Sequence, residues 1–156
     1  MVSDHAFWSW ATQAWREPDL EATLLQWQER HGVSILALLF VVWLAREDKA
    51  MSVAQIKDLH EAIDPWVRDV VVPLRVCRQQ WREQPALSSL RPRLAQLELR
   101  AEQELAELCL SWLELQPPMR RGGTLAPQLE NFVKALQLKP TQAELNVLLG
   151  CLSTDA

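Results

Sequence analysis

Apolar residues recur along most of the chain at the three- and four-residue spacing that places them on one face of a helix. We expect a first helix after Ser3–Asp4, because these residues are typical N-caps. Its apolar face carries Phe7, Trp8 and Trp15. Trp10 lies off that face, so the pattern predicts core positions for the other aromatic residues and leaves Trp10 as a candidate for binding.

The segment 33–45 is apolar on all sides and follows a second amphipathic helix that we expect to end at Gly32. A helix of this kind is typical of the centre of a bundle, where other helices surround it. It is too short for a bilayer span, which needs about 18 or more apolar residues. We therefore expect no stable membrane insertion.

The rest of the chain also shows helical spacing, divided by capping patterns and prolines. A capping box at Ser52–Gln55 predicts a helix to about Ile63, and Asp64–Pro65 resembles the start of another. The remaining predictions are a helix over 66–82 that Pro73 interrupts, a helix over 89–115, an exposed loop over 116–123, and two C-terminal helices that begin near Thr124 and Thr141. The sequence thus predicts an all-α fold, a single compact bundle of about seven helices spanning 1–156 around the apolar helix at 33–45.

Composition and charge exclude several classes of function. The net charge is −4, and the last two helices contain few Lys or Arg, so we expect no nucleic-acid partner. Three widely spaced cysteines and three scattered histidines form no metal-ligand motif, and we expect neither metal nor cofactor. Unpaired cysteines and the absence of a secretion signal favour the cytoplasm.

One group of charges is a candidate site. Three arginines, Arg68, Arg75 and Arg78, form a band beside the apolar stripe of the 66–82 helix. In the 89–115 helix, Glu98 and Glu102 border the apolar face, where a carboxylate is seldom left unpaired. The short turn between the helices predicts that they pack antiparallel and bring these groups together. The cluster is either a structural ion-pair network, a pocket that holds a carboxylate or phosphate, or plain solvated charge.

No phosphate-binding loop, nucleophile elbow or zinc-protease motif is present, and we assign no catalytic residue. Two hypotheses remain for function. The first is a non-enzymatic helical adaptor or regulatory protein that binds a protein partner, with Trp10 as its partner-binding residue. The alternative is a small-molecule or anion-binding protein, or an enzyme, with an Arg/Glu-lined pocket between the 66–82 and 89–115 helices. An exposed patch of Trp8 and Trp10 favours the first, and a pocket holding Arg75 and Glu98 together favours the second.

Several segments in fixed order resemble a proteobacterial domain family of unknown function. They are Phe7-Trp8-Ser9-Trp10-Ala11, the stretch from His31 to Phe40, Trp43-Leu44, Trp66-Val67-Arg68, Pro73-Leu74-Arg75 with Arg78, and the pair Glu98 and Glu102. The resemblance covers nearly the whole chain and implies a short, cytoplasmic, bacterial helical protein. It implies no reaction.

Overall fold

The computed structural model of the protein describes residues 6–153, and the predicted capping pair Ser3–Asp4 lies outside them. The α-helices are α1 (Ala6–Trp15), α2 (Pro18–His31), α3 (Ile35–Arg46), α4 (Val53–Trp66), α5 (Val72–Trp81), α6 (Arg91–Glu114), α7 (Leu125–Ala135) and α8 (Gln142–Ser153). A π-helical turn, Val67–Val71, joins α4 to α5 without a break, so the described residues form seven continuous helical rods. The predicted all-α bundle of about seven helices is confirmed.

The apolar helix α3 lies at the centre of the bundle, as its sequence predicts. Nine of its twelve residues are buried, and α1, α2, α6 and α7 pack around it. The ring of Phe40 meets that of Phe7 edge-on, with 5.0 Å between their centroids. Ser34 caps α3, since its hydroxyl oxygen accepts a hydrogen bond from the Ala37 N–H. None of the helices in the described part of the chain has the length and apolar character needed to cross a bilayer.

Local sequence signals set most helix ends. Gly32 ends α2 in the left-handed conformation, with φ 67°, which costs glycine little because it has no Cβ. The capping box at Ser52–Gln55 is present in full at the start of α4. A second box links Thr141 and Glu144 at the start of α8, where each side chain accepts a hydrogen bond from the other's backbone N–H.

The predicted new helix at Asp64–Pro65 is wrong, because α4 runs through both residues to Trp66. Asp64 caps nothing; it pairs with Arg68 one turn later. The apolar face of α4 continues past Pro65, and the Trp66 indole N–H donates to the Ala101 carbonyl at 3.0 Å. Packing of this continuous face against α6 outweighs the local signal for a break.

Pro73 interrupts the helix, as predicted, and the structure shows how. In a regular α-helix its ring would clash with the carbonyl of Asp69, four residues back, and it has no N–H to donate. The chain adopts a π-helical turn instead, in which the Val72 N–H bonds the carbonyl of Val67, five residues back. The π-helical turn contains about one residue more than an α-helical turn. Side chains before and after it that would share one face of a regular helix therefore lie on different faces.

The loop before α7 contains a structured contact that the sequence pattern did not predict. Two-residue strands, β1 (Lys49–Ala50) and β2 (Arg120–Arg121), pair antiparallel, and β2 lies within the stretch 116–123 that was expected to be an exposed loop. The next residues lie against α3, where Gly123 approaches the backbone of Lys49. Buried Gln128 then bonds both the N–H and the carbonyl of Met51, at 2.8 and 3.3 Å. These contacts attach α7 to the segment between α3 and α4.

Polar contacts to Glu144 from His31 and Arg30 hold the last helix to α2. His31 Nε2 lies 2.8 Å from the carboxylate of Glu144, whereas its position at the end of α2 predicts contact with the last carbonyls of that helix. The hydrogen bond from His31 holds the pKa of Glu144 below its usual range. The last helix therefore packs against α2 through polar as well as apolar contacts.

Candidate anion-binding groove

The predicted hairpin forms between α5 and α6 and brings two ion pairs together. The Arg78 Nε–H is shared between both carboxylate oxygens of Glu98, with 3.0 Å to Oε2. One turn along, Arg75 Nη2 lies 3.9 Å from Glu102 Oε1. Residue numbers rise along one helix as they fall along the other, which is the antiparallel arrangement that the short turn predicts.

These pairs line a groove with a volume of about 790 Å³. It lies between the α5–α6 hairpin and the first three helices, whereas the sequence placed the pocket between the two hairpin helices themselves. Arg75 and Glu98 both line it. The charged lining residues are Arg16, Glu21, Arg75, Arg78, Arg82, Glu98 and Glu102. A space of this size accommodates a small organic molecule, since ligand pockets are typically about 300–1,000 Å³.

The arginines of the groove carry more donors than the protein uses. Arg78 donates only its Nε–H to Glu98, and its terminal amino groups bond no residue in the part of the chain that the structure describes. The side chains of Arg16 and Arg82 likewise have no partner among residues 6–153. Unpaired guanidinium groups that converge on one space repel each other and favour a bound anion.

The opposite wall of the groove carries Arg16 and Glu21 and is otherwise largely apolar. Trp8 and Trp15 of α1 line it together with side chains from α2 and α3, namely Leu25, Ile35, Leu36 and Leu39. Trp8 is buried and belongs to the core, whereas Trp15 is half-buried and presents a face to the groove. The groove thus combines arginine donors with an apolar surface formed mainly by α1–α3, the combination that small-molecule sites use.

Arg68 is not part of this site, although the sequence placed it with Arg75. Its side chain is 63% exposed, against 19% for Arg75, and it pairs with Asp64 and Asp69 at 3.2 and 3.0 Å. A spacing of seven residues puts two side chains on one face of a regular α-helix. The π-helical turn lies between these two arginines and breaks that register.

Trp10 lies outside the groove. Its indole ring packs partly against the core, and the guanidinium carbon of Arg46 lies 5.5 Å from the ring centroid. This geometry is that of a cation–π contact, which occupies one face of the ring. The structure therefore does not present Trp8 and Trp10 as one exposed patch.

The titratable groups near the groove differ in environment. Burial raises the pKa of Glu102 to about 7, an effect that Arg75 opposes and Glu98 reinforces. Burial also raises the pKa of the Cys109 thiol to about 12, so Cys109 is a neutral core residue. No three His, Cys, Asp or Glu side chains among the described residues are placed to hold a metal ion.

A family model described as "Protein of unknown function (DUF2390)" matches residues 6–109, about two thirds of the chain. The chain belongs to the DUF2390 family. The match spans every residue that lines the groove, from Trp8 to Glu102. No curated protein and no solved structure matches the chain significantly.

In this DUF2390 member, the sequence pattern predicts the residues that the α5–α6 hairpin contributes to the groove. It does not predict those from α1–α3. The candidates Arg75, Arg78, Glu98 and Glu102 come together because two neighbouring helices carry them. Arg16 and Trp15 line the same space but lie about sixty residues earlier in the chain. The only sequence signal for them is an arginine that directly follows an apolar stripe, which is too common to identify a site.

Proposed function

We propose that this protein binds an amphiphilic anion, a molecule with one acidic group and an apolar body, in the groove between α1–α3 and the α5–α6 hairpin. The acidic group bonds Arg78 and Arg82, with Arg16 on the facing side. The apolar body lies against Trp15 and the side chains of α3. The observation that carries the proposal is the set of guanidinium donors at the groove that have no protein partner among the described residues.

A purely structural network explains the cluster less well. It would need each arginine of the groove to meet a carboxylate, yet only one close pair is present and the Arg75–Glu102 distance is 3.9 Å. Exposed ion pairs stabilise a fold by at most about 1 kcal/mol, and the exposed Arg16 and Arg82 form none among the described residues, so they add little to a structural network. A bound carboxylate, sulfonate or phosphate would pair with these arginines.

Replacing Arg78 by alanine is expected to weaken binding of a medium-chain alkyl carboxylate or alkyl sulfonate by about 10- to 100-fold, since a charge-assisted hydrogen bond contributes roughly 1.5–3 kcal/mol. Isothermal titration calorimetry measures the affinity, and inorganic phosphate serves as a probe without an apolar body. Arg93→Ala is the matched control, because Arg93 is exposed on α6 outside the groove. Equal affinities in the two variants, or no binding of any probe to the wild type, contradict the proposal.

A helical adaptor that binds a protein partner is the second candidate. The observation that favours it is a row of leucines along one line of α6 and its two flanking residues, spaced 7, 11 and 7 residues apart. They are Leu90, Leu97, Leu108 and Leu115, with exposed fractions from 38% to 84%. Exposed leucines along one side of a helix are typical of helix-mediated interfaces, and the ion pair of Arg100 with Glu104 lies between Leu97 and Leu108. We expect the protein, in either role, to work in a bacterial cytoplasm, where its three cysteines stay reduced.

The adaptor function predicts that Leu97→Ser combined with Leu108→Ser abolishes a specific crosslinked complex in the native cell, while Arg78→Ala leaves it intact. The surface substitutions change little in the fold because both leucines are more than a third exposed. Mass spectrometry of the crosslinked band measures the loss. A band that survives the leucine changes excludes this surface as the interface.

A further inference from the structure

The two glutamates of the α5–α6 hairpin, Glu98 and Glu102, are bound very differently. Glu98 accepts the Arg78 Nε–H on both carboxylate oxygens. Glu102, one turn along α6, accepts no hydrogen bond from the described residues, and Arg75 is its nearest cation at 3.9 Å. The Glu102 side chain is 30% exposed at the groove, and a carboxylate that accepts no hydrogen bond from the protein lacks the contacts that favour its charged form. Glu102 is therefore the groove carboxylate that most readily takes up a proton.

The charges that face Glu102 come from four elements. The α5 helix and its C-cap contribute Arg75, Arg78 and Arg82; Arg16 follows α1, Glu21 lies on α2, and Glu98 shares α6. Helix α3 adds only apolar side chains, and the nearby Cys109 thiol is neutral. Four arginines thus face three glutamates when Glu102 is ionised, and two charged glutamates when it is protonated. Protonation doubles the net positive charge of the groove and frees Arg75 to bind a ligand.

We infer that the groove takes up one proton together with its anionic ligand, and that this proton resides on the carboxyl group of Glu102. The inference rests on the proposed function, because it concerns the same groove. An anion bound beside Arg75 and Arg78 repels an ionised Glu102, so the ligand favours the protonated form. Linkage is reciprocal, and the protonated form binds the anion more tightly by the same factor.

The direction of the pH dependence follows from the pKa of the Glu102 carboxyl group in the protein without ligand. Burial raises its pKa to about 7, so the free protein changes its charge near neutral pH. Below that pH Glu102 is neutral and the groove binds anions at full strength. As the pH rises above it, each bound ligand must bring a proton, and the affinity falls by up to about tenfold per pH unit.

The test compares wild type, Glu102→Gln and Glu104→Gln between about pH 6 and pH 9. The probe is an alkyl sulfonate, which stays a monoanion over this range. Glutamine keeps the shape of protonated Glu102 and cannot ionise. Glu104 lies on the same helix outside the groove, paired with Arg100, and is the matched control. Calorimetry in two buffers with different heats of ionisation counts the protons taken up on binding.

We expect Glu102→Gln to bind the sulfonate at about pH 8 as tightly as wild type does at about pH 6, with no proton uptake. Wild type and Glu104→Gln take up close to one proton at about pH 8 and lose affinity as the pH rises. Sulfonate binding that keeps its pH dependence in Glu102→Gln overturns the inference and leaves the proposed function standing, as does wild-type binding without pH dependence. A wild type that binds no sulfonate at any pH overturns both.

Discussion

Replacing Gly123 by alanine is expected to destabilise the protein by about 3 kcal/mol or more, because the backbone of the neighbouring strand occupies the place of the new methyl group. An ideal Cβ at this position overlaps the carbonyl oxygen of Lys49 and lies 2.6 Å from its carbonyl carbon and 3.1 Å from Ala45 Cα. All three are backbone atoms, which cannot rotate away as a side chain can. Relief requires a shift of β1 from β2, or of the loop before α7 from α3.

The matched control is Gly150→Ala, where the expected sign is opposite. Gly150 lies inside α8, and nothing stands within 4 Å of a Cβ added there. Alanine in a helix interior is more stable than glycine by about 0.5–1 kcal/mol. Chemical denaturation of the two variants and the wild type measures both changes. A Gly123→Ala variant as stable as wild type would falsify the close packing of this loop on α3.

The helices were predictable because their signals are local. Gly32, Ser52 and Thr141 act within one turn of the chain, where a φ angle or a side-chain hydrogen bond decides the outcome. The apolar helix at 33–45 was predictable for a related reason, since only a central position buries all its sides. The wrongly predicted helix start at Asp64–Pro65 shows the limit of such local signals. A proline in an otherwise continuous apolar stripe does not reveal whether packing will carry the helix through it.

The candidate site was predictable only as far as two neighbouring helices determine it. A short turn makes α5 and α6 neighbours, so Arg78 met Glu98 and Arg75 came near Glu102 as expected. Arg68 was misplaced because one π-helical turn changes the face of every residue before it, and composition gives no sign of where such a turn will form. The α1 side of the groove could not be predicted. Helix α1 lies far from the hairpin in sequence, and only tertiary packing brings the two together.

The contrast between Glu98 and Glu102 could not have come from the sequence either. Both are glutamates at the border of one apolar stripe, four residues apart. The difference is the distance to an arginine, a bifurcated hydrogen bond in one case and 3.9 Å in the other. That difference places a close ion pair beside a carboxyl group whose pKa burial raises to about 7. In the proposed complex, Arg78 therefore bonds the ligand, and the ligand's charge favours the protonated form of Glu102.

The eight tryptophans of the chain occupy different environments, and three of them make a matched set of substitutions. Trp27 is 1% exposed on α2 and belongs to the core. Trp15 is half-buried at the groove wall. Trp81 is half-buried at the end of α5, outside both the groove and the set of residues packed on the core, so it serves as the control.

Replacing Trp27 by alanine is expected to cost about 3–5 kcal/mol, the usual effect of emptying a buried aromatic site, and to lower Tm by roughly 6–20 °C. The cavity cannot close easily, because the ring packs within the main core and also contacts His31, with 5.1 Å between ring centroids. Trp81→Ala is expected to change Tm by a few degrees at most. Differential scanning calorimetry measures both, and similar shifts in the two variants contradict the core role of Trp27.

The Trp15→Ala variant distinguishes an effect on ligand affinity from an effect on stability. We expect a smaller loss of stability than in Trp27→Ala, and a loss of about tenfold in affinity for an alkyl carboxylate or sulfonate, since the apolar body loses its aromatic wall. The affinity for inorganic phosphate stays unchanged, because phosphate contacts only the arginines. Arg78→Ala weakens both ligands. If Trp15→Ala weakens phosphate and the amphiphilic anion equally, the acidic group and the apolar body do not occupy separate places in the groove, and the ligand class proposed for it is wrong.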